Sequence, residues 1–247
     1  MPTGLINGVR LYWEDHGRGD VLLLIHGATQ SSVTLAPHIA ALSRSYRVIA
    51  PDLRGMGRSD HVSEMPPGAW PEDVGALMDH LAISRAHVYG VSLGARVALR
   101  LAANKPALVR SLMLEMPIVA MEASTNQALN VALGAFDDMP ADQKRLRRDQ
   151  HGEDWATVLA NYMNIRNQPE LQEYLNARET SKSVAVPTLI FRGDEREVVH
   201  PLDHCFELHR NISGSWLWIR PNTRSGVLEA APEEAYAYMS ALMATAR

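Results

Sequence analysis

Residues 86–94 read Ala86-His87-Val88-Tyr89-Gly90-Val91-Ser92-Leu93-Gly94. An apolar run of strand length, His87–Val91, passes through Gly-x-Ser-x-Gly directly into a helical pattern, Ser92–Asn104. A serine between two glycines at a strand-to-helix junction sits on a tight turn. The glycines leave room for neighbouring backbone, the hydroxyl projects at the strand's end, and the N-terminus of the next helix points at it. Such a turn presents a nucleophile. An ordinary glycine-rich turn has the same outline, so the surrounding segments must decide.

Outward from this turn, short apolar runs at Val9–Glu14, Val21–His26, Arg47–Pro51, Ser111–Glu115, Thr188–Gly193 and Ser215–Ile219 alternate with helical patterns. The helices are expected at Leu35–Arg44, Pro71–Leu81, Pro201–Asn211 and Pro232–Ala244. Continuous apolar runs suit strands covered on both faces. Their alternation with helices predicts an α/β protein with a doubly wound, mostly parallel sheet. The rhythm breaks between Ile118 and Val184, where Ala128–Phe136, Ala141–Gln150, Asp154–Ile165 and Pro169–Ser181 read as helices with no strand between them. Strand pattern resumes after Pro187. Residues 118–184 are therefore expected to form a helical cap inserted into a core made of residues 1–117 and 185–247, placed to cover a site at the strand ends. A separate small helical domain is the alternative.

Lys and Arg number 24 against 28 Asp and Glu, a net charge of −4, which argues against a binder of nucleic acid or of an acidic membrane surface. The 46% hydrophobic and 21% charged content is that of a folded globular chain, and 247 residues are enough to bury a core. The one cysteine, Cys205, cannot form an internal disulfide, which fits a reducing compartment. No run approaches the ~18 apolar residues of a membrane span, and the first ten residues lack the apolar stretch of a secretory signal. The expectation is a cytoplasmic monomer or homodimer that takes a small-molecule substrate, with neither nucleic acid nor membrane as partner. No cofactor is implied, because Gly55-Met56-Gly57 lacks the third glycine of a dinucleotide fingerprint, Asp60 standing in its place. His200, His204, Cys205 and His209 share a helix but not a zinc motif, and read as an ordinary helix face rather than a metal site. The basic run Lys144-Arg145-Leu146-Arg147-Arg148 reads as a solvated helix face. Trp155, Tyr162 and Tyr174 either line a pocket or anchor helices.

Two further segments agree with the serine turn. Val21–Gly27, VLLLIHG, ends a strand in His26-Gly27, and residues 51–60 read PDLRGMGRSD. Together with the turn they resemble the α/β-hydrolase superfamily over nearly the whole chain, the insertion corresponding to that family's variable cap. The resemblance implies that Ser92 is the nucleophile. It implies an oxyanion pocket made by the backbone N–H groups of Ala28 and Leu93, with His26 and Gly27 shaping the loop. The family order is serine, acid, histidine. The acid is expected after the strand Thr188–Gly193, in Gly193-Asp194-Glu195-Arg196-Glu197-Val198-Val199-His200-Pro201. Glu197, just before the Val-Val pair, is preferred, with Asp194 as runner-up.

The histidine departs from the pattern. None of the ten histidines follows residue 209, and the family's Gly-His falls on Arg224-Ser225. Ser225 has no useful basic site near neutral pH; Arg224 is counted with the residues facing substrate. His200 is either a relocated base or a helix-start residue. Three readings follow. In the first, the oxyanion pocket polarises a carbonyl compound for elimination, cyclisation, isomerisation or rearrangement, with Ser92 only a hydrogen-bond donor. In the second, an esterase or lactonase uses Ser92, His200 and Glu197. In the third, a hydrolase-like pocket binds a ligand without catalysis.

Overall fold

The computed structural model describes residues 2–134, 136, 138–224 and 226–246. Its strands are β1 (Thr3–Ile6), β2 (Val9–His16), β3 (Val21–Ile25), β4 (Arg47–Pro51), β5 (Ala86–Val91), β6 (Val109–Glu115), β7 (Thr188–Gly193) and β8 (Trp216–Arg220). They form one eight-stranded sheet in the order β1-β2-β4-β3-β5-β6-β7-β8. The pairs β1·β2 and β2·β4 are antiparallel. The remaining pairs are parallel. The helices α1 (Ser32–Leu42), α2 (Ala69–His80) and α3 (Leu93–Asn104) fall between the early strands. Between β6 and β7 come α4 (Ala123–Gly134), α5 (Ala141–His151), α6 (Trp155–Arg166), α7 (Pro169–Tyr174) and α8 (Ala177–Thr180). The chain ends in α9 (Leu202–Asn211), α10 (Val227–Ala230) and α11 (Pro232–Thr245).

The central strands are apolar at successive positions because both faces of the sheet are covered. Leu23, Ile25 and Val88 face one buried layer that includes Val74 and Leu77 of α2 and Val97 of α3. Leu22, Leu24, Tyr89 and Met113 face the other, with Leu35 of α1 and Met239 of α11. The expected doubly wound α/β sheet is thus observed. One strand went unread: β1 turns back onto β2 through Asn7-Gly8, both at positive φ, 47° and 80°. That dipeptide is a hairpin turn of the kind right-twisted strands require. The expected helix Pro169–Ser181 is broken, α7 ending at Tyr174 and Asn176 capping α8 by accepting the Arg178 N–H at 3.0 Å.

Candidate active site

The turn after β5 is fixed by crowding. A methyl group on Gly90 would sit 2.2 Å from the Gly94 carbonyl oxygen, and one on Gly94 would sit 2.2 Å from that of Ile25 in β3. Only glycine admits this approach of α3 to the sheet. Between them Ser92 is held at φ 54° and ψ −112°, a conformation rarely adopted by a side-chain-bearing residue. Its N–H donates to the Glu115 carbonyl at the end of β6, at 3.0 Å. The hydroxyl is thus aimed by backbone alone.

The loop from β7 to α9 meets it. His200 Nε2 lies 2.9 Å from Ser92 Oγ, and His200 Nδ1 lies 2.7 Å from Glu197 Oε1. The two side chains are 13% and 34% exposed. His200 thus lies where the second reading needs a relocated base, whereas the first reading rested on a missing acceptor. The sheet order puts β7 only one strand, β6, away from β5, so the β7 loop can deliver an imidazole to the serine without the segment after β8. Asp194, the runner-up acid, is engaged elsewhere. Its Oδ1 accepts the Thr223 N–H at 3.2 Å, and backbone N–H groups of Thr223 and Asn222 hold its pKa below the usual value.

The same loop is gripped from several sides. Buried Arg192 donates from Nε to the Gly193 carbonyl at 2.7 Å and from Nη2 to the Glu195 carbonyl. The Asp194 N–H donates to Arg220 O in β8 at 3.0 Å. Thr125 of α4 donates its hydroxyl to the Val198 carbonyl at 3.0 Å. Arg224 is not brought to the serine. Its side chain is 90% exposed and lies 3.5 Å from Glu195. Ser225 lies outside the described residues.

The loop after β3 supplies the facing wall. Among the described residues, neither the Ala28 nor the Leu93 N–H is spent on an acceptor within the chain. His26 is fully buried, and its Nδ1–H donates to the Gly27 carbonyl at 2.8 Å while Nε2 accepts the Leu53 N–H at 3.0 Å. Burial pushes its pKa down, so it is a neutral brace for this loop and not a base. The Gly27 N–H donates to Gln30 Oε1 at 3.0 Å. Thr29, at φ 55°, has its carbonyl held by Arg147 Nη1 at 2.6 Å and His151 Nε2 at 3.1 Å, both from α5. Arg147 therefore departs from the solvated face expected of its basic run, because its donors reach inward to this loop.

Two buried carboxyls frame the site: Glu115 drew no attention in the sequence, and Asp52 belongs to the 51–60 stretch that carries the resemblance. Glu115 accepts the Val227 and Leu228 N–H groups at 2.6 and 2.8 Å and the Tyr89 hydroxyl, and burial raises its pKa to about 6. Asp52 accepts the N–H groups of Ser32 at 2.6 Å and Arg58 at 2.8 Å. An acidic residue ending an apolar strand was the available signal for Glu115, as arginine inside a strand was for Arg192. Nothing in the pattern singled out Thr125.

Trp155 and Tyr162 are buried among apolar side chains, and the Tyr174 ring lies under the Arg100 guanidinium. All three anchor helices. Cys205 is buried, which pushes its thiol up to about 12, and His209 Nδ1 bonds Ser215 Oγ at 2.9 Å. Among the described residues no three His, Cys, Asp or Glu side chains gather as metal ligands. Among them no helix is long and apolar enough to cross a membrane.

The model of the α/β-hydrolase fold family matches residues 20–152. The 2-(acetamidomethylene)succinate hydrolase of Mesorhizobium japonicum is 31% identical over 218 residues, covering 78% of this chain and 77% of that one. The soluble epoxide hydrolase of Corynebacterium sp. is 34% identical over 131 residues, 52% of this chain and 46% of that one. The chain spans less than half the length of this and other curated relatives that it matches. Among solved structures, a meta-cleavage product hydrolase from Pseudomonas fluorescens IP01 superposes with a TM-score of 0.82 at 23% identity, covering 100% of this chain and 98% of that one. At that identity the likeness speaks for the fold. The family model spans more than half of the chain, and the Mesorhizobium relative aligns along most of its length; the chain belongs to the α/β-hydrolase fold family.

Proposed function

We propose that this protein is a serine hydrolase of small carbonyl compounds, esters or lactones first, working through Ser92, His200 and Glu197. The observation that carries the reading is the single imidazole bridging Ser92 Oγ and the Glu197 carboxylate at 2.9 and 2.7 Å. A hydroxyl is a weak nucleophile until a base within hydrogen-bond reach takes its proton. In the proposed cycle Ser92 Oγ attacks the substrate carbonyl as His200 Nε2 accepts the hydroxyl proton. Glu197 accepts the Nδ1–H, orients the ring and stabilises the imidazolium. The oxyanion of the tetrahedral intermediate takes hydrogen bonds from the Ala28 and Leu93 N–H groups, each worth about 3 kcal/mol in such pockets. The intermediate collapses as the leaving oxygen receives the proton from His200. Water, deprotonated by the same imidazole, then releases the acid from Ser92.

In this reading residues 118–184 are the cap, and residues 1–117 and 185–247 the catalytic core. The activities of the relatives, including hydrolysis of 2-(acetamidomethylene)succinate, support hydrolysis as the reaction class. The alternative in which Ser92 acts only as a donor loses its motive, since it rested on a missing base. The test is hydrolysis of short p-nitrophenyl esters and lactones, with a fluorophosphonate probe applied to wild type and Ser92→Ala. Turnover with the probe on Ser92 is expected. A folded wild type that neither turns over any ester nor takes the probe would overturn the proposal.

A further inference from the structure

The helices between β6 and β7 do more than lie beside the site. Thr125 is the one buried residue of α4, a helix whose Val131 is 72% exposed. An amphipathic helix ordinarily buries an apolar stripe; here the buried group is a hydroxyl, bonded to the Val198 carbonyl at 3.0 Å. Val198 stands between Glu197 and His200, and its own side chain is 53% exposed, so apolar packing does little to fix it. On the opposite wall His151, the last residue of α5, is 3% exposed and bonded on both ring nitrogens. Nδ1 accepts the Gly57 N–H at 2.9 Å and Nε2–H donates to Thr29 O at 3.1 Å. Thr29 follows Ala28 directly and sits at φ 55°, where a non-glycine residue stays only if its surroundings hold it.

We infer that Thr125 and His151 are positioning residues that make the inserted helices part of the catalytic scaffold. Thr125 sets the acid–base loop through Val198, and His151 sets the oxyanion loop through Thr29. The inference rests on the Ser92–His200–Glu197 reading and goes beyond it, since neither residue touches the reacting atoms. Its consequence is a division of labour: slackening Thr125 loosens Glu197 against His200, whereas slackening His151 moves the Ala28 N–H. Burial keeps His151 neutral, its pKa pushed down to about 4, as its one-donor, one-acceptor pattern needs.

The experiment compares wild type, Thr125→Val, Thr125→Ser, His151→Leu and His151→Gln by kcat, KM and the pH profile of kcat/KM on a p-nitrophenyl ester. Thermal melting and fluorophosphonate labelling of Ser92 are followed in parallel. Displacements of about 1 Å cost up to ~10²-fold in rate, so Thr125→Val and His151→Leu are each expected to lower kcat by ~10–10²-fold with KM little changed. Thr125→Val should also move the acidic limb of the profile to lower pH, because a carboxylate that no longer meets the imidazole squarely stabilises its cation less. His151→Leu should leave that limb in place. Thr125→Ser and His151→Gln, which keep the needed hydrogen bonds, should recover most of the rate. Activity falling only with the melting temperature, or equal loss in Val and Ser variants, would overturn the inference. Absence of label on wild-type Ser92 marks instead the failure of the hydrolase reading, and the inference falls with it.

Discussion

The serine turn and the acid–base loop meet across a single hydrogen bond, yet they are built in opposite ways. Ser92 is placed by five consecutive residues and by close backbone contact, Gly90 against Gly94 and Gly94 against Ile25. The loop that carries His200 and Glu197 is held mostly by partners from distant parts of the chain, Arg220 and Thr223 from the β8 side and Thr125 from α4, with Arg192 bracing its start locally. A nucleophile set by local geometry is written in the sequence as a motif. A base set by tertiary hydrogen bonds can migrate between loops, provided that the sheet order keeps it beside the serine. In this chain the proposed base, His200, stands after β7, and the segment after β8 contributes braces to the loop.

That contrast can be broken first at its chemistry. Ser92→Ala and His200→Ala should each lower kcat for a p-nitrophenyl ester by as much as ~10⁶-fold, the loss seen when a member of a triad that acts as a unit is removed. Glu197→Gln should cost ~10⁴-fold, since an amide cannot stabilise the imidazolium. If Glu197→Gln is silent while Asp194→Asn is not, the acid has been misassigned. Steady-state kinetics on folded variants separates these cases.

The local side is tested at the turn. Gly94→Ala pushes a methyl group into the Ile25 carbonyl, which has little freedom to move within a central strand. A loss of about 3–5 kcal/mol in denaturant-induced unfolding is expected. A loss under ~1 kcal/mol would mean that α3 can shift and that the turn is not fixed by contact.

A smaller effect probes the framing carboxyl. Burial raises the Glu115 pKa from 4.5 to about 6, so the folded chain binds its proton more tightly than the unfolded chain does. The stability it contributes is present below pH 4.5 and is lost as pH rises through 6. Glu115→Gln cannot lose a proton, and its melting temperature should gain on wild type by a few degrees between those pH values. Parallel melting curves for the two proteins across that range would show that the carboxyl titrates normally.

Much of the fold was legible from periodicity. The continuous apolar strands, their alternation with helices and the helical stretch before β7 follow from burial of the sheet on both faces. β1 was missed because four residues with alternating burial carry little apolar signal, although Asn7-Gly8 marked its turn. In the candidate site, Ser92 could be picked from its local motif, and Glu197 and the Ala28 and Leu93 N–H groups from the family resemblance. His200 could be named only as a candidate, because its helix-start position has an ordinary structural explanation and its contact with Ser92 spans 108 residues. Thr125 and Glu115 went unread for the same reason, each acting through backbone groups far away in sequence, whereas Arg192 acts locally, on the carbonyls of Gly193 and Glu195.

The central claim is that His200 is the base for Ser92, and acyl-enzyme formation reports on it most directly. In stopped-flow mixing with p-nitrophenyl acetate, wild type should release about one equivalent of nitrophenol in a burst, with the acetyl group found on Ser92 by mass spectrometry. His200→Ala, equally folded, should show no burst on that timescale. A burst of unchanged rate and amplitude in His200→Ala would contradict the account.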